Sequence, residues 1–308
     1  VIVCAVPSPA IDKLFEVEEL HPGTIHRPES FVPVPGGKGL NVARSAATLG
    51  AAVHAVCLLS GHAGRWVADA LAAEGIGASA VWGPGETRSV LSVADRATAG
   101  LTEFYERAPA LDRATWAAFE AAVEAALVGA SWLTLSGSLP PGAPPDGYAA
   151  LARRAHAHGV RVALDATGVP LAAGLAGAPD LVKVNAEEAA EVAPWCPPGD
   201  GAALAAALRE RAGEGAVAVV TLGAEGAVLA GPEGGWRGRA PAVGRYPVGS
   251  GDALLAGLVA GLERGLGRRA ALAAGLGAGA ANAEQPGQGR LDPARARALA
   301  DAATLSPA

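Results

Sequence analysis

The chain has 308 residues, enough for one large α/β domain or two ordinary ones, and its 51% hydrophobic against 18% charged content excludes disorder as the main state. A formal net charge of −6 argues against a nucleic-acid-binding surface, and 42 glycines without a G-X-Y period exclude collagen. Methionine is absent, and only three lysines (Lys13, Lys38, Lys183) and three asparagines (Asn41, Asn185, Asn282) occur, so each is a candidate for work that Arg, Ala or Gly cannot do.

The opening VIVCAV has no basic flank and soon meets Pro7 and Pro9, so it reads as a buried first strand rather than a signal peptide. From there short β-branched runs alternate with longer Ala/Leu patterns. The predicted strands are Val1–Val6, Ala52–Leu58, Trp132–Leu135, Arg161–Leu164, Leu181–Val184 and Ala216–Thr221. The predicted helices are Leu40–Leu49, Gly64–Ala73, Arg113–Leu127, Asp146–His156, Ala202–Arg211, Gly251–Arg264 and Arg268–Asn282. This alternation is the pattern of a parallel sheet with helices on both faces. Two stretches break it, about 11–35 and 87–107, where charged and β-prone residues mix. Both read as short antiparallel strands inserted into one α/β body, forming a small sheet or lid whose exposed face needs cover from ligand or a second subunit. With no linker or repeat, residues 1–308 form a single domain.

Cys4, Cys57 and Cys196 lie far apart, with no CxxC and no histidine at metal-ligand spacing, and read as buried thiols of a reduced, cytoplasmic protein without a zinc site. The longest apolar stretches, Ala253–Leu262 and Ala270–Ala281, fall short of the roughly 20 residues of a membrane span.

Five segments can carry chemistry. In Pro35-Gly36-Gly37-Lys38-Gly39-Leu40-Asn41, glycines precede a helix and leave room for a ligand at its N-terminus; a plain turn is the alternative. Ser136-Gly137-Ser138-Leu139-Pro140-Pro141-Gly142 is a strand end followed by either a ligand-facing or an ordinary turn. In Lys183-Val184-Asn185-Ala186-Glu187-Glu188, the i, i+3 pair Asn185 and Glu188 suits a hydrated Mg²⁺ or, equally, a helix capping box. Thr221-Leu222-Gly223-Ala224-Glu225-Gly226 is a nucleotide-facing or plain β-turn. Gly249-Ser250-Gly251-Asp252 opens an apolar helix: its backbone N–H groups form an anion nest, and Asp252 is a general base or a helix cap. An anion nest and a carboxylate at one helix start suit phosphoryl transfer.

In their order and separation, Gly36–Asn41 and Gly249–Asp252 resemble the two signatures of the PfkB-type carbohydrate kinases, and the likeness runs from Ser8-Pro9-Ala10-Ile11-Asp12 to Asn282. The lysine in GGKGLNVAR, the SGSLPPG segment and Thr87-Arg88 are similar to the 1-phosphofructokinase and tagatose-6-phosphate kinase branch. The resemblance implies a ribokinase-like three-layer α/β/α sandwich with a β-sheet lid that often clasps a second copy. It implies Asp252 as the base, with Gly249, Ser250 and Gly251 as anion hole. Asp12, Gly37, Lys38 and Asn41 would hold the sugar, and Arg88, Arg27 and Ser138 its phosphate. Asn185 and Glu188 match the Mg²⁺ element, and Thr221, Gly223, Glu225, Gly226 and Asn282 would lie along ATP. Three positions depart from the family pattern: Ser8 for Asn, Val184 for Pro and Tyr246 for Asn or Asp. The implied activity is an ATP-dependent phosphosugar kinase acting on fructose 1-phosphate to give fructose 1,6-bisphosphate. The alternatives are a tagatose-6-phosphate or fructose-6-phosphate kinase, a sugar or nucleoside kinase, and a non-catalytic sugar-phosphate-binding regulator.

Overall fold

A computed structural model describes residues 1–28, 31–98, 100–197, 199–241 and 244–308; residues 29, 30 and 99 of the two expected lid segments lie outside the described residues. The chain begins β1 (Ile2–Val6), β2 (Ala10–Val17), β3 (Phe31–Gly36), α1 (Lys38–Thr48), β4 (Val53–Ser60), α2 (Gly61–Ala73) and β5 (Gly77–Gly83). Next come β6 (Arg88–Asp95), β7 (Gly100–Tyr105), α3 (Arg113–Ala126), β8 (Trp132–Ser136), α4 (Gly147–Ala157), β9 (Arg161–Asp165) and α5 (Gly168–Gly174). It continues with β10 (Leu181–Asn185), α6 (Ala186–Val192), α7 (Gly201–Ala212), β11 (Val217–Thr221), β12 (Ala227–Gly231) and β13 (Gly234–Arg239). The last elements are α8 (Ser250–Glu263), α9 (Arg268–Ala283), α10 (Pro293–Asp301) and β14 (Thr304–Pro307).

Ten strands form the main sheet in the order β14-β13-β12-β11-β10-β9-β8-β1-β4-β5. From β11 to β5 every pairing is parallel, whereas β11 to β14 pair antiparallel. Parallel strands must be covered on both faces, and β1 and β8 are buried along their whole length. One face packs on Phe119, Tyr148 and Leu204 of α3, α4 and α7; the other packs on Leu40, Leu255 and Leu272 of α1, α8 and α9. The fold is the expected three-layer sandwich.

The small sheet has the order β3-β2-β6-β7. Its outer pairs are antiparallel as expected, but β2 and β6 run parallel, which corrects the reading of the lid as antiparallel throughout. The cause is the connection: α1, β4, α2 and β5 separate β3 from β6, and that crossover returns the chain in the direction of β2. Strands β5, β12, β13 and β14 are not among the predicted elements. Strand β5 reads GASAVWG, with only the three-residue apolar stretch Ala80–Trp82, and β13 reads GGWRGR, so neither carries an apolar run of strand length. Helices α5, α6 and α10 are further additions, and the start of α10 is marked in the sequence, where Asp292 caps it and Pro293 opens it. Cys4 and Cys57 are buried, while Cys196 is only half-buried, contrary to the expectation for all three.

Candidate active site

The site lies where parallel strands end and two helices begin, the place such sheets leave open for ligands. Strands β9 and β10 end on Asp165 and Asn185, and β8 on Ser136. Helix α8 starts beside them after Gly249, whose φ of +84° is a left-handed conformation that glycine adopts without strain. Helix α1 starts after Gly37, at φ +91°. A Cβ at Gly36 would overlap the Asp12 carboxyl, so the glycine run lets the lid strand β2 lay that carboxylate against the body.

Asp252 sits in the first turn of α8 and is 6% exposed. Asn41, itself buried on α1, donates its amide to Asp252 Oδ2 at 2.9 Å and to Gln288 Oε1 at 3.1 Å. Burial pushes the Asp252 carboxyl up to about 6, and the nearby Asp165 charge adds to the rise. Lys183, Lys38 and the Asn41 amide oppose it. Asp252 is therefore ionised at neutral pH but poised close to it, as a general base requires.

Asp165 is fully buried and joins the two lysines: Lys183 Nζ donates to Oδ2 at 2.6 Å and Lys38 Nζ to Oδ1 at 3.0 Å. Burial works against ionising Asp165, but the two ammonium groups overcome it and hold the carboxyl below the usual range. Lys38 also donates to Glu188 Oε1 at 3.1 Å. Burial would ease its proton off, yet Asp165, Asp252 and Glu188 together bind that proton more tightly than usual. Lys183 Nζ lies against Gly251, where any Cβ would approach it to 2.9 Å. The anion nest and an ammonium thus converge beside Asp252.

The predicted sugar-binding residues divide. Asp12 accepts from the Gly37 N–H at 3.3 Å, and burial raises its carboxyl to about 6 against the pull of Gly37, Arg88 and Arg44. Arg88 donates to the Ser8 carbonyl at 3.4 Å and lies over Tyr105, while its Nε is buried without an acceptor among the described residues. Asp12, Arg88, Gly37 and Asn41 adjoin one another on one side of the site. The Lys38 side chain instead reaches towards Asp165 and Glu188. Gly137 lies against the base of Lys38, where an added Cβ would stand 3.6 Å from Lys38 Cβ, and Ser138 next to it is exposed. Arg27 is exposed on the β2–β3 loop, with no side-chain contact to the others among the described residues.

Of the residues expected along the nucleotide, Thr221 donates to the Val184 carbonyl at 3.4 Å, and Gly223–Glu225 form an exposed single turn beside it. Gly226 backs onto the Gly238 carbonyl. Asn282 is fully buried and donates to the Val248 carbonyl and Ser250 Oγ at 3.1 and 3.3 Å, so its amide shapes the nest from within. Asn185 and Glu188 form the capping box: Asn185 Oδ1 accepts from the Glu188 N–H at 2.8 Å and Glu188 Oε2 from the Asn185 N–H at 2.9 Å. Both remain hard oxygen donors with further lone pairs, a set that suits a hydrated Mg²⁺.

The residues that sequence reasoning missed are Asp165, which ends a strand without any motif, the role of Lys183, and Gln288. The scarcity of lysine is the usable signal, because a buried ammonium such as that of Lys183 requires an acid nearby.

A poised base, a backbone nest and two ammonium groups are the parts of a phosphotransferase whose acceptor is an alcohol. The pfkB family carbohydrate kinase profile matches residues 3–295. Over 265 residues the chain is 36% identical to the 1-phosphofructokinase of Xanthomonas campestris pv. campestris, covering 83% of this chain and 82% of that one. The phosphofructokinase-2 of Escherichia coli in complex with substrates and products superposes with a TM-score of 0.89 at 26% identity, over 97% of this chain and 98% of that one. A carbohydrate kinase from Agrobacterium tumefaciens shares the fold at a TM-score of 0.76 and 22% identity, with 99% of each chain covered. The chain belongs to the pfkB family of carbohydrate kinases.

Proposed function

We propose that the protein transfers the γ-phosphoryl group of ATP to fructose 1-phosphate, giving fructose 1,6-bisphosphate and ADP. The observation that carries this reading is Asp252, a buried carboxylate tuned to about 6 at the mouth of the α8 nest. Asp252 takes the proton from the acceptor hydroxyl as its oxygen bonds to the γ-phosphorus and the bond to ADP breaks. The Gly249–Gly251 backbone and Lys183 meet the charge on the transferring group. Asp12, Gly37 and Asn41 orient the sugar, Arg88 receives its phosphate with Arg27 and Ser138 at the rim, and Lys38 bridges towards the nucleotide. Thr221, Gly223, Glu225 and Gly226 border the ATP, and Asn282 holds the nest. Asn185 and Glu188 would hold Mg²⁺, which when bound neutralises phosphate charge.

The lid supports two further points. Its inner face closes over the sugar and limits ATP hydrolysis by water. On its outer face Phe31 and Phe104 are 55% and 58% exposed, which supports a homodimer formed through the lid. The family, the charge and the free cysteines support a cytoplasmic enzyme with neither nucleic-acid nor membrane partners. A coupled ADP-release assay across fructose 1-phosphate, fructose 6-phosphate, tagatose 6-phosphate and unphosphorylated sugars tests the reading. It predicts the highest kcat/KM for fructose 1-phosphate; a higher value for another sugar replaces it, and no turnover with any of them supports the binding regulator instead.

A further inference from the structure

A second recess lies at the other end of the sheet. Strand β9 starts at Arg161 and ends at Asp165, so about 13 Å of extended chain separates this recess from the buried acid of the catalytic end. The recess has a volume of ≈ 620 Å³ and is walled by Arg161, Arg268, Arg269, Trp236 and Leu266.

Its arginines are arranged for more than solubility. The Arg161 guanidinium lies over the Trp132 ring at 4.3 Å from its centroid, and that of Arg269 over Trp236 at 5.4 Å. Stacking occupies the flat face of a guanidinium and leaves its N–H edges to donate in plane. Among the described residues neither side chain donates a hydrogen bond. Arg268 alone is paired, with Glu233 at 3.0 Å, and that glutamate is 88% exposed. Glu263 also lies near Arg161 and accepts from Ser131 at 2.7 Å. Three guanidiniums and one carboxylate, Glu233, line the recess, on a protein whose net charge is −6. Leu266, 39% exposed, and the Trp236 indole add an apolar wall.

We infer that this recess binds a small phosphorylated molecule with a planar ring, a nucleoside phosphate, at a site separate from the catalytic one. Its phosphate would be met by the in-plane N–H groups of Arg161 and Arg269, which match phosphate oxygens as a fork, with Arg268 exchanging Glu233 for it. The ring would lie against the exposed Leu266, beside the Trp236 indole that Arg269 covers. The volume is within the range of small-ligand sites.

The test is calorimetric titration of the full chain with AMP at low salt, with inorganic phosphate as a second arm. It compares the wild type with Arg161→Ala/Arg269→Ala and with the milder Arg269→Ala, which truncates one exposed side chain. The wild type should show an AMP-binding component that weakens about tenfold or more in the double variant, severalfold in the single one, and on adding salt. A component from the catalytic site should persist in all three. Inorganic phosphate should bind the wild type more weakly than AMP. Thermal unfolding midpoints should be unchanged in the single variant, so that its loss of binding reads the recess and not the fold. Superimposable AMP isotherms for wild type and single variant would overturn the proposal, and phosphate binding as tight as AMP would overturn recognition of the ring. Neither outcome depends on which sugar the enzyme phosphorylates.

Discussion

Lys183 donates to Asp165 at 2.6 Å in a fully buried pair, and the same carboxylate takes Lys38 on its other oxygen at 3.0 Å. One acid thus places both lysines of the site, and its charge also reaches Asp252. The pair links the Gly36–Asn41 run, the β10 strand and the α8 nest into a single electrostatic unit.

Asp165→Asn removes the charge while nearly preserving the shape. Lys38 and Lys183 lose their shared anchor, and breaking a buried pair of this kind costs about 3–5 kcal/mol. Because the Asp165 charge raises the Asp252 pKa, its removal should move the acid limb of the kcat/KM profile to lower pH. A pH–rate series on wild type and variant, with thermal melts alongside, reads both effects. An unmoved acid limb would remove Asp165 from the unit.

Asp252 carries its own pH signature. With the folded pKa raised to about 6 from 3.8, the ionised group opposes folding at neutral pH, and that opposition fades as pH falls from about 6 towards 4. Asp252→Asn should therefore melt higher than wild type at pH 7.5, with the gap narrowing as pH drops. A variant that melts lower at pH 7.5 would show that ionised Asp252 stabilises the fold.

Arg88→Ala should raise the KM for fructose 1-phosphate by about tenfold or more and leave the KM for ATP near its wild-type value, since the buried Arg88 Nε lacks an acceptor among the described residues and is free to donate to an anion. Lys38→Ala should differ. Its ammonium reaches Asp165 and Glu188, so kcat should fall more than the sugar KM rises. Steady-state kinetics with each substrate varied separates the two patterns.

Tyr246 donates to Glu16 Oε1 at 2.7 Å, joining the segment before α8 to the lid strand β2 across a cavity of ≈ 490 Å³ that Asp12 and Gln288 also line. Tyr246→Phe should loosen the lid, raising the KM for phosphosugar severalfold and speeding hydrogen exchange in β2 while the global melting point holds. Unchanged exchange in β2 would mean that the lid is held elsewhere.

The parts of this protein legible in its sequence are those where one stretch of chain carries the whole signal. Trp132–Leu135 and Leu181–Val184 are apolar runs that need both faces covered, and they form β8 and β10. The Asp252 and Asn41 motifs lie on helix starts that glycine runs announce. Where the decisive partner is distant, the sequence is silent. The parallel pairing of β2 with β6 depends on a crossover through four elements, and Asp165 matters only because Lys38 and Lys183 arrive from elsewhere in the chain. Asn185 and Glu188 show a third case, in which the spacing allows a metal site or a capping box and the fold builds the box with the Glu188 carboxylate still paired to Lys38.

The central claim is that Asp252 is the base of phosphoryl transfer. Asp252→Asn keeps the Asn41 side able to hydrogen-bond and should lower kcat with fructose 1-phosphate by about 10²–10⁴-fold, with both KM values little changed. Turnover within a few-fold of wild type, in a variant that melts as a folded protein, would contradict it.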